Sequence, residues 1–190
     1  EVSIADSRSI TKIASSEILT KAFPNGRPEI FGVIGGPPCP DFSHAGKNLG
    51  GVGRHGRLTS AFVKKISDLK PAFFVFENVS GLARTKPHRR YLETLVRRLE
   101  KDGYSVDFRI LNALELGVPQ DRERLIAVGL KSALAAKCAG RPIKDRERGW
   151  FPWPENPAYK GAKTRFIWPG KSARGSEVLP PEGVPLELTV

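Results

Sequence analysis

Two short apolar runs, each followed directly by turn-forming or polar residues, restrict the fold of this chain more than any other feature. Residues 30–34 (Ile-Phe-Gly-Val-Ile) lead into Gly-Gly-Pro-Pro, and residues 72–76 (Ala-Phe-Phe-Val-Phe) lead into Glu77. Short, nearly continuous apolar runs are typical of strands that are covered on both faces of a sheet. Between the two runs, apolar residues recur at helical spacing and predict an amphipathic helix: Leu58, Phe62, Ile66 and Leu69.

The same alternation of helix and strand signals continues to residue 130. Strands are predicted around residues 105–111 and 124–130. The helix before them is marked by a second apolar stripe, formed by Tyr91, Leu95 and Leu99. Strand, helix, strand, helix, strand is the order of a parallel sheet with covering helices, so the sequence predicts an α/β fold.

The last third of the chain has a different composition. Eight of the 16 prolines and all three tryptophans lie after Leu130, and hydrophobic periodicity is lost there. We therefore predict one α/β domain over residues 1–130, followed over residues 131–190 by a linker and the start of another region. The chain contains no methionine, so we expect the parent protein to be longer.

Basic residues dominate the charge of the chain, because 31 Lys and Arg against 20 Asp and Glu give a formal net charge of +11. This excess favours a polyanionic partner, most simply nucleic acid, and a basic protein without such a partner is the alternative. No apolar run approaches the ~20 residues that cross a bilayer, and no signal peptide opens the chain. We therefore expect no membrane partner and an intracellular location.

The cysteines and histidines do not indicate a metal site. Cys39 and Cys138 are too few and too far apart for a disulfide framework or a zinc site, and they fit a reducing compartment. The histidines have no metal-ligand spacing among themselves or with Cys39, so no metal is expected. No Gly-x-Gly-x-x-Gly turn follows a predicted strand, which argues against a dinucleotide-dependent oxidoreductase.

A thiol and a carboxylate that are distant in the sequence are predicted to lie at the same edge of the sheet. Cys39 follows the first strand and Glu77 ends the second. The carboxyl ends of parallel strands share one edge, and ligands of open α/β sheets bind there. Two prolines before Cys39 stiffen its loop. The alternatives are an inert cysteine in a turn and a solvated carboxylate at a strand end.

A row of hydrogen-bond donors is predicted where the chain enters the last strand. In an extended chain, Gln120, Arg122 and Arg124 face the same side. Arginine suits bidentate contacts to anions or bases, so this row favours nucleic-acid recognition. The alternative is a solvated edge of mixed charge.

These residues resemble the motifs of a known family. Residues 36–43 (Gly-Pro-Pro-Cys-Pro-Asp-Phe-Ser), followed by Gly46, resemble the catalytic loop of the DNA cytosine-5 methyltransferases. Residues 77–79 resemble the Glu-Asn-Val motif of that family, and residues 120–124 resemble its Gln-x-Arg-x-Arg motif. The three motifs stand in the family's order. Pro40 stands where many members have glutamine.

The resemblance implies a Rossmann-like, mostly parallel sheet and methyl transfer from S-adenosyl-L-methionine to C5 of a cytosine in double-stranded DNA. Cys39 would be the nucleophile that adds to C6, and Glu77 would contact the N3/N4 edge of the base. Arg124 would contact the base O2, and Arg122 would steady the site and the DNA backbone nearby. The target base must leave the stacked duplex for this chemistry.

The resemblance also implies binding residues. Asp6 and Pro38 would contact the cofactor. Contacts to nucleic acid would come from Ser43, Gly46, Asn78 and Gln120. The family's glycine-rich cofactor motif is not found in residues 1–190, so we expect a sheet without its first strands. We also expect the 190-residue chain alone to bind the cofactor poorly and to turn over little.

Two other functions remain open at this point. A tRNA cytosine-5 methyltransferase of the same family would carry nearly the same motifs. A catalytically inactive nucleic-acid-binding fragment would keep the fold, although it would not need Cys39, Glu77 and the two arginines. For the DNA enzyme we expect a monomer in the bacterial cytoplasm or nucleoid, acting in restriction–modification.

Overall fold

A computed structural model of the chain describes residues 5–38 and 54–165, with side chains for all of these except residues 54–56 and 165. The helices of the described residues are α1 (Ser15–Ala22), α2 (Arg54–Leu69), α3 (Gly81–Arg84), α4 (Lys86–Lys101), α5 (Ser132–Ala139) and α6 (Ala162–Arg165). The strands are β1 (Gly32–Gly35), β2 (Phe73–Val79), β3 (Tyr104–Asn112) and β4 (Glu123–Lys131). Single 3₁₀ turns lie at Ile10–Lys12, Ala113–Leu116 and Pro157–Tyr159.

The predicted strand–helix–strand unit is confirmed. β1 and β2 pair in parallel, with a register that runs from Gly32 opposite Phe73 to Gly35 opposite Phe76. α2 is the helix between them in the chain. The sheet has the order β1-β2-β4-β3. Because β1 and β2 are parallel, their carboxyl ends lie at one edge of the sheet, as the sequence predicted.

β4 runs against its neighbours. The N–H of Lys131, at the end of β4, donates to the carbonyl of Ala72, just before β2, at 2.9 Å. The N–H of Ser132 donates to the carbonyl of Gly103, just before β3, at 3.3 Å. β1, β2 and β3 therefore share one direction, and β4 runs opposite to its neighbours β2 and β3. The described sheet is thus mostly antiparallel with one parallel pair, β1–β2, where the sequence predicted a mostly parallel sheet. A parallel β3–β4 connection needs a crossover of about a dozen residues or more, and residues 113–122 contain only a 3₁₀ turn.

Helices α2 and α4 supply the core that covers the sheet. Phe62, Ile66 and Leu69 are buried on α2, which confirms the predicted apolar stripe. On β2 burial alternates, and Phe74 and Phe76 lie inward. α4 ends at Lys101, and Gly103, two residues later, adopts a left-handed backbone with φ of 86°.

The prediction that residues 30–34 are covered on both faces is wrong for this chain. Ile30 is 63% exposed and Ile34 is 75% exposed. β1 ends the strand order of the described sheet, and α2 lies against one of its faces. α2 approaches β1 closely at Gly35, where an added Cβ would lie 2.4 Å from a ring carbon of Phe62. A short apolar run alone does not distinguish a strand that is covered on both faces from a strand that is covered on one face.

The described residues form two compact units. The first comprises those of Glu1–Arg109 and Leu125–Phe151, and the second comprises those of Ile110–Arg124 and Pro152–Val190. In the second unit, Leu114 and Ala162 are fully buried and Tyr159 packs against them. The family resemblance implies that residues 131–190 hold a linker and the start of a target-recognition region. The division at residue 130 between the catalytic domain and that part remains a prediction.

Candidate active site

The carboxylate of Glu77 lies against the backbone at the end of β1. Gly35 stands opposite Phe76 in the parallel register, so the next residues on the two strands are Gly36 and Glu77. A Cβ added to Gly36 would lie 2.7 Å from Oε2 of Glu77. Glycine at this position therefore leaves the space that the Glu77 carboxylate occupies, and the two strand ends meet as the sequence predicted.

Asn78, near the end of β2, forms a hydrogen bond with the loop after β1. Its side chain is nearly fully buried, with the residue 2% exposed. Nδ2 donates to the carbonyl of Pro37 at 3.2 Å, while Oδ1 accepts from the N–H of Val79 at 2.9 Å. The sequence assigned Asn78 to nucleic-acid contact, which stays a prediction. The role that the geometry gives it is to hold the backbone two residues before Cys39.

Three predicted site residues, Cys39, Ser43 and Gly46, lie outside the described residues. Pro38, a predicted cofactor contact, is the last described residue of the loop and is exposed. What the structure describes is thus the base of the loop that carries Cys39, beside Glu77. The approach of the thiol to the carboxylate stays a prediction.

The three residues of the predicted donor row lie in the second unit, with Arg124 in β4 and with Gln120 and Arg122 in the segment before that strand, so their common orientation stays a prediction. Gln120 and Arg122 are exposed, and Arg124 is half-buried with Nη1 donating to the carbonyl of Glu123 at 2.7 Å. The two acidic residues that alternate with this row have partners of their own. Asp121 accepts from Nδ2 of Asn112 at 2.7 Å, and Glu123 accepts from Nζ of Lys163 at 2.7 Å.

Asp6, the second predicted cofactor contact, is already surrounded by donors. Oδ1 accepts from the backbone N–H and from Nε of Arg8 at 3.0 and 2.9 Å. Oδ2 accepts from Nη2 of Arg8 at 2.7 Å and from Nζ of Lys21 at 3.0 Å. Hydrogen bonds from Arg8 first, and then from Lys21, hold the pKa of Asp6 well below its usual range.

This arrangement sets a condition on cofactor binding. A carboxylate offers about four lone-pair positions, and the four donors to Asp6 use all of them. A donor group of a cofactor would have to displace Arg8 or Lys21 to bind Asp6. The contact of Asp6 with S-adenosylmethionine stays a prediction.

The described residues contain neither a cluster of metal ligands nor a helix that could span a membrane. No group of three or more His, Cys, Asp or Glu side chains stands there in a position to hold a metal ion. None of the helices in the described ranges has the length and apolar character that a bilayer crossing needs.

Sequence reasoning did not identify the residues that support the site. The support given by Asn78 needed the register of β1 and β2, and the contact of Lys163 with Glu123 joins positions 40 residues apart. The sequence did contain a signal for a cation near Glu123. The alternation of acidic and basic residues over 120–124 puts both carboxylates on one side of an extended chain, where a cation is favoured.

Comparison with known proteins agrees with the motifs. A sequence model of C-5 cytosine-specific DNA methylases matches residues 4–166. The chain is 42% identical over 161 residues to the Type II methyltransferase M.NmeDI of Neisseria meningitidis serogroup C, a match that covers 85% of this chain and 36% of that protein. It is 44% identical over 111 residues to the Type II methyltransferase M.XorII of Xanthomonas oryzae pv. oryzae. That match covers 57% of this chain and 26% of that protein.

A solved structure gives the same result for the fold. A prophage-encoded DNA modification methyltransferase of E. coli superposes with a TM-score of 0.53 and 26% identity, over 72% of this chain and 37% of that one. The α/β class is thereby confirmed. The chain spans about a third of the length of the relatives that it matches. Since the family model covers most of its residues, the chain belongs to the C-5 cytosine-specific DNA methylases.

Proposed function

We propose that the complete protein is a DNA cytosine-5 methyltransferase that acts on a cytosine flipped out of double-stranded DNA. The observation that carries this proposal is the base of the Pro-Pro-Cys loop, which Asn78 holds beside the Glu77 carboxylate. In a family member, this is where a nucleophile and an acid–base group are needed together. The names of the Type II relatives support a role in restriction–modification, in the bacterial cytoplasm or nucleoid.

The proposed reaction begins with nucleophilic addition. C5 of cytosine is a poor nucleophile, and addition of the Cys39 thiolate to C6 gives C5 the electron density of an enamine. The new S–C6 bond places negative charge on the N3 side of the ring. Glu77, sharing its proton with N3 and accepting from the exocyclic amine, stabilises that charge as it develops.

The second half of the reaction restores the base. S-adenosylmethionine, when bound to the complete protein, supplies the methyl group that C5 takes up. Loss of the C5 proton to a base then re-forms the C5–C6 double bond, and the S–C6 bond breaks to return the Cys39 thiolate. The pyrimidine is thus left methylated and aromatic, and the enzyme is unchanged.

Asn78 contributes rigidity in this scheme. Its hydrogen bond to the Pro37 carbonyl fixes the backbone two residues before the nucleophile, and the prolines at 37 and 38 limit the backbone dihedrals in between. Because a misplacement of about 1 Å can reduce a rate about a hundredfold, this support matters for catalysis. We propose that it acts together with any contact of Asn78 to DNA.

The arginine row would hold the flipped base and the strand around it. Arg124 is assigned to O2 of the base, and the exposed Arg122 to the site and the DNA backbone nearby. Gln120 would add a further contact to nucleic acid. The net charge of +11 supports a polyanionic substrate of this kind.

A methyl-transfer assay on the complete protein tests the proposal. Labelled methyl groups from S-adenosylmethionine should appear at C5 of cytosine in duplex DNA. Cys39→Ala should abolish the transfer, and Cys138→Ala should preserve it, because Cys138 is an exposed free thiol on α5. Transfer to tRNA and not to DNA would change the substrate and keep the mechanism. Equal activity of wild type and Cys39→Ala would refute the assignment of the nucleophile.

A further inference from the structure

Lys163 pairs with the two acidic residues that alternate with the predicted donor row, and we infer that it is a positioning residue for Arg122 and Arg124. The inference rests on the proposed function, because it concerns how the arginines are presented to DNA. Lys163 itself touches neither substrate nor cofactor in this scheme. It acts through the two acidic residues that alternate with the arginines, Asp121 and Glu123.

The contacts place one cation between two carboxylates. Nζ of Lys163 lies 2.7 Å from Oε1 of Glu123 and 3.7 Å from Oδ1 of Asp121. Asp121 also accepts from Asn112 at 2.7 Å, and Oδ1 of Asn112 accepts from the N–H of Leu114 at 3.0 Å. Both acidic side chains therefore have polar partners within the second unit.

Lys163 is carried by the short helix α6, whose first residue is packed. Its neighbour Ala162 is fully buried and belongs to the cluster with Leu114 and Tyr159. Tyr159 lies over Gly117, where an added Cβ would come within 2.8 Å of the ring. All of these residues belong to the second compact unit, so the lysine and the segment that it holds are parts of one packed body.

The charge pattern explains why a cation is needed at this position. In residues 120–124, each arginine has an acidic neighbour, and an unneutralised carboxylate there would attract the guanidinium groups and repel DNA phosphates. Lys163 offsets that charge through its contacts with Glu123 and Asp121. The side chains are partly exposed, at 42% for Lys163, 35% for Asp121 and 20% for Glu123, so we expect a moderate effect.

The test compares charge removal at two lysines in the complete protein. Lys163→Met removes the cation, Lys163→Arg keeps it, and Lys137→Met removes an exposed cation from the end of α5 as the matched control. We expect Lys163→Met to weaken binding to duplex DNA and to lower the single-turnover methylation rate by roughly threefold to tenfold each. Lys163→Arg and Lys137→Met should stay close to wild type.

A rescue experiment separates charge compensation from simple structural support. If Lys163 acts by neutralising Glu123, then Glu123→Gln added to Lys163→Met should restore most of the DNA affinity. A role limited to anchoring the segment would make the double variant as weak as the single one or weaker. Failure of the rescue, or equal behaviour of Lys163→Met and Lys137→Met, overturns the inference.

The proposed function fails under a different result. A wild-type protein that binds DNA and transfers no methyl group to any nucleic acid would refute the methyltransferase proposal. The affinity comparison among the lysine variants would still decide the positioning role. The two failures are therefore distinguishable.

Discussion

At the scale of single residues, Gly36 is the position where the backbone after β1 approaches the carboxylate of Glu77, the proposed acid–base group. Glu77 ends β2 and its Oε2 occupies the space that a side chain at residue 36 would need. The sequence identified Glu77 from the end of an apolar run, and it identified residue 36 only as part of a turn. The need for glycine became visible with the parallel register of β1 and β2.

Replacement of this glycine should separate activity from stability. In Gly36→Ala, the new Cβ would stand 2.7 Å from Oε2 of Glu77, and the flexible end of the glutamate can move away with little loss of folding free energy. The displaced carboxylate should lower the methylation rate of the complete protein by on the order of tenfold to a hundredfold. Single-turnover kinetics and thermal unfolding measure the two effects. A variant with a normal rate would contradict the assigned place of Glu77.

At the scale of secondary-structure elements, the buried carboxylate of Asp107 joins β3 to the segment after α5. The residue is 1% exposed. Oδ1 accepts from the N–H groups of Phe108 and Gly149 at 2.9 and 3.0 Å, and Oδ2 accepts from the N–H of Phe151 at 3.0 Å. Three backbone donors at one carboxylate give residues 149–151 a fixed attachment to the sheet.

The loss of this carboxylate should reduce stability. Asp107→Asn replaces one acceptor oxygen by a donor that faces backbone N–H groups, so we expect a loss of about 1–3 kcal/mol in the free energy of unfolding. Asp145→Asn is the matched control, because the Asp145 side chain is 86% exposed. Urea unfolding of both variants measures the difference. Equal stabilities would show that the three hydrogen bonds contribute little.

The loop between α5 and residue 149 should show a dependence on acid. A hydrogen bond from Arg141 first, and one from the backbone N–H of Lys144 second, lower the pKa of Glu147 from 4.5 to about 2. A carboxyl whose pKa falls on folding stabilises the native state above its unfolded pKa. That contribution is lost as the pH falls from 4.5 through about 2.

The comparison with Glu147→Gln isolates this contribution from those of the other carboxylates. Between pH 6 and pH 2, the free energy of unfolding should decrease more steeply in wild type than in the variant. Urea titrations across this range give both slopes. Parallel pH profiles would mean that Glu147 keeps its ordinary pKa in the folded protein.

The sequence predicted these elements unevenly, for physical reasons. α2 and α4 have a strong contrast between an apolar stripe and charged residues, and both were found. α5 is rich in alanine (Ser-Ala-Leu-Ala-Ala-Lys-Cys-Ala), so it has helix propensity and little amphipathic contrast, and it was missed. The direction of β4 also could not be obtained from its apolar run, because hydrophobic periodicity contains no information on strand polarity.

At the scale of the whole molecule, the motif order was enough to identify the family, and the family model over residues 4–166 confirms it. The division into two units was not predicted. Each unit combines two segments that are separated in the sequence, whereas the sequence predicted a single boundary after residue 130. Interleaved segments follow from long-range contacts, which local patterns do not encode.

Separation of the chain from the rest of the protein gives a test at this scale. The family's glycine-rich cofactor motif is not found in the sequence, and Arg8 and Lys21 already donate to the carboxylate of Asp6. We therefore expect the isolated chain to show no methylation above background and weak binding of S-adenosylmethionine by calorimetry. Robust methylation by this chain alone would contradict that expectation.

Covalent trapping tests the central claim most directly. Duplex DNA that carries 5-fluorocytosine at the target position accepts the thiolate and the methyl group but cannot lose fluorine from C5, so the protein stays attached. With the complete protein and S-adenosylmethionine, we predict a stable adduct whose digestion leaves the modified base on the peptide that contains Cys39. An adduct on another residue, or none when the bound cofactor is demonstrated, would contradict the account.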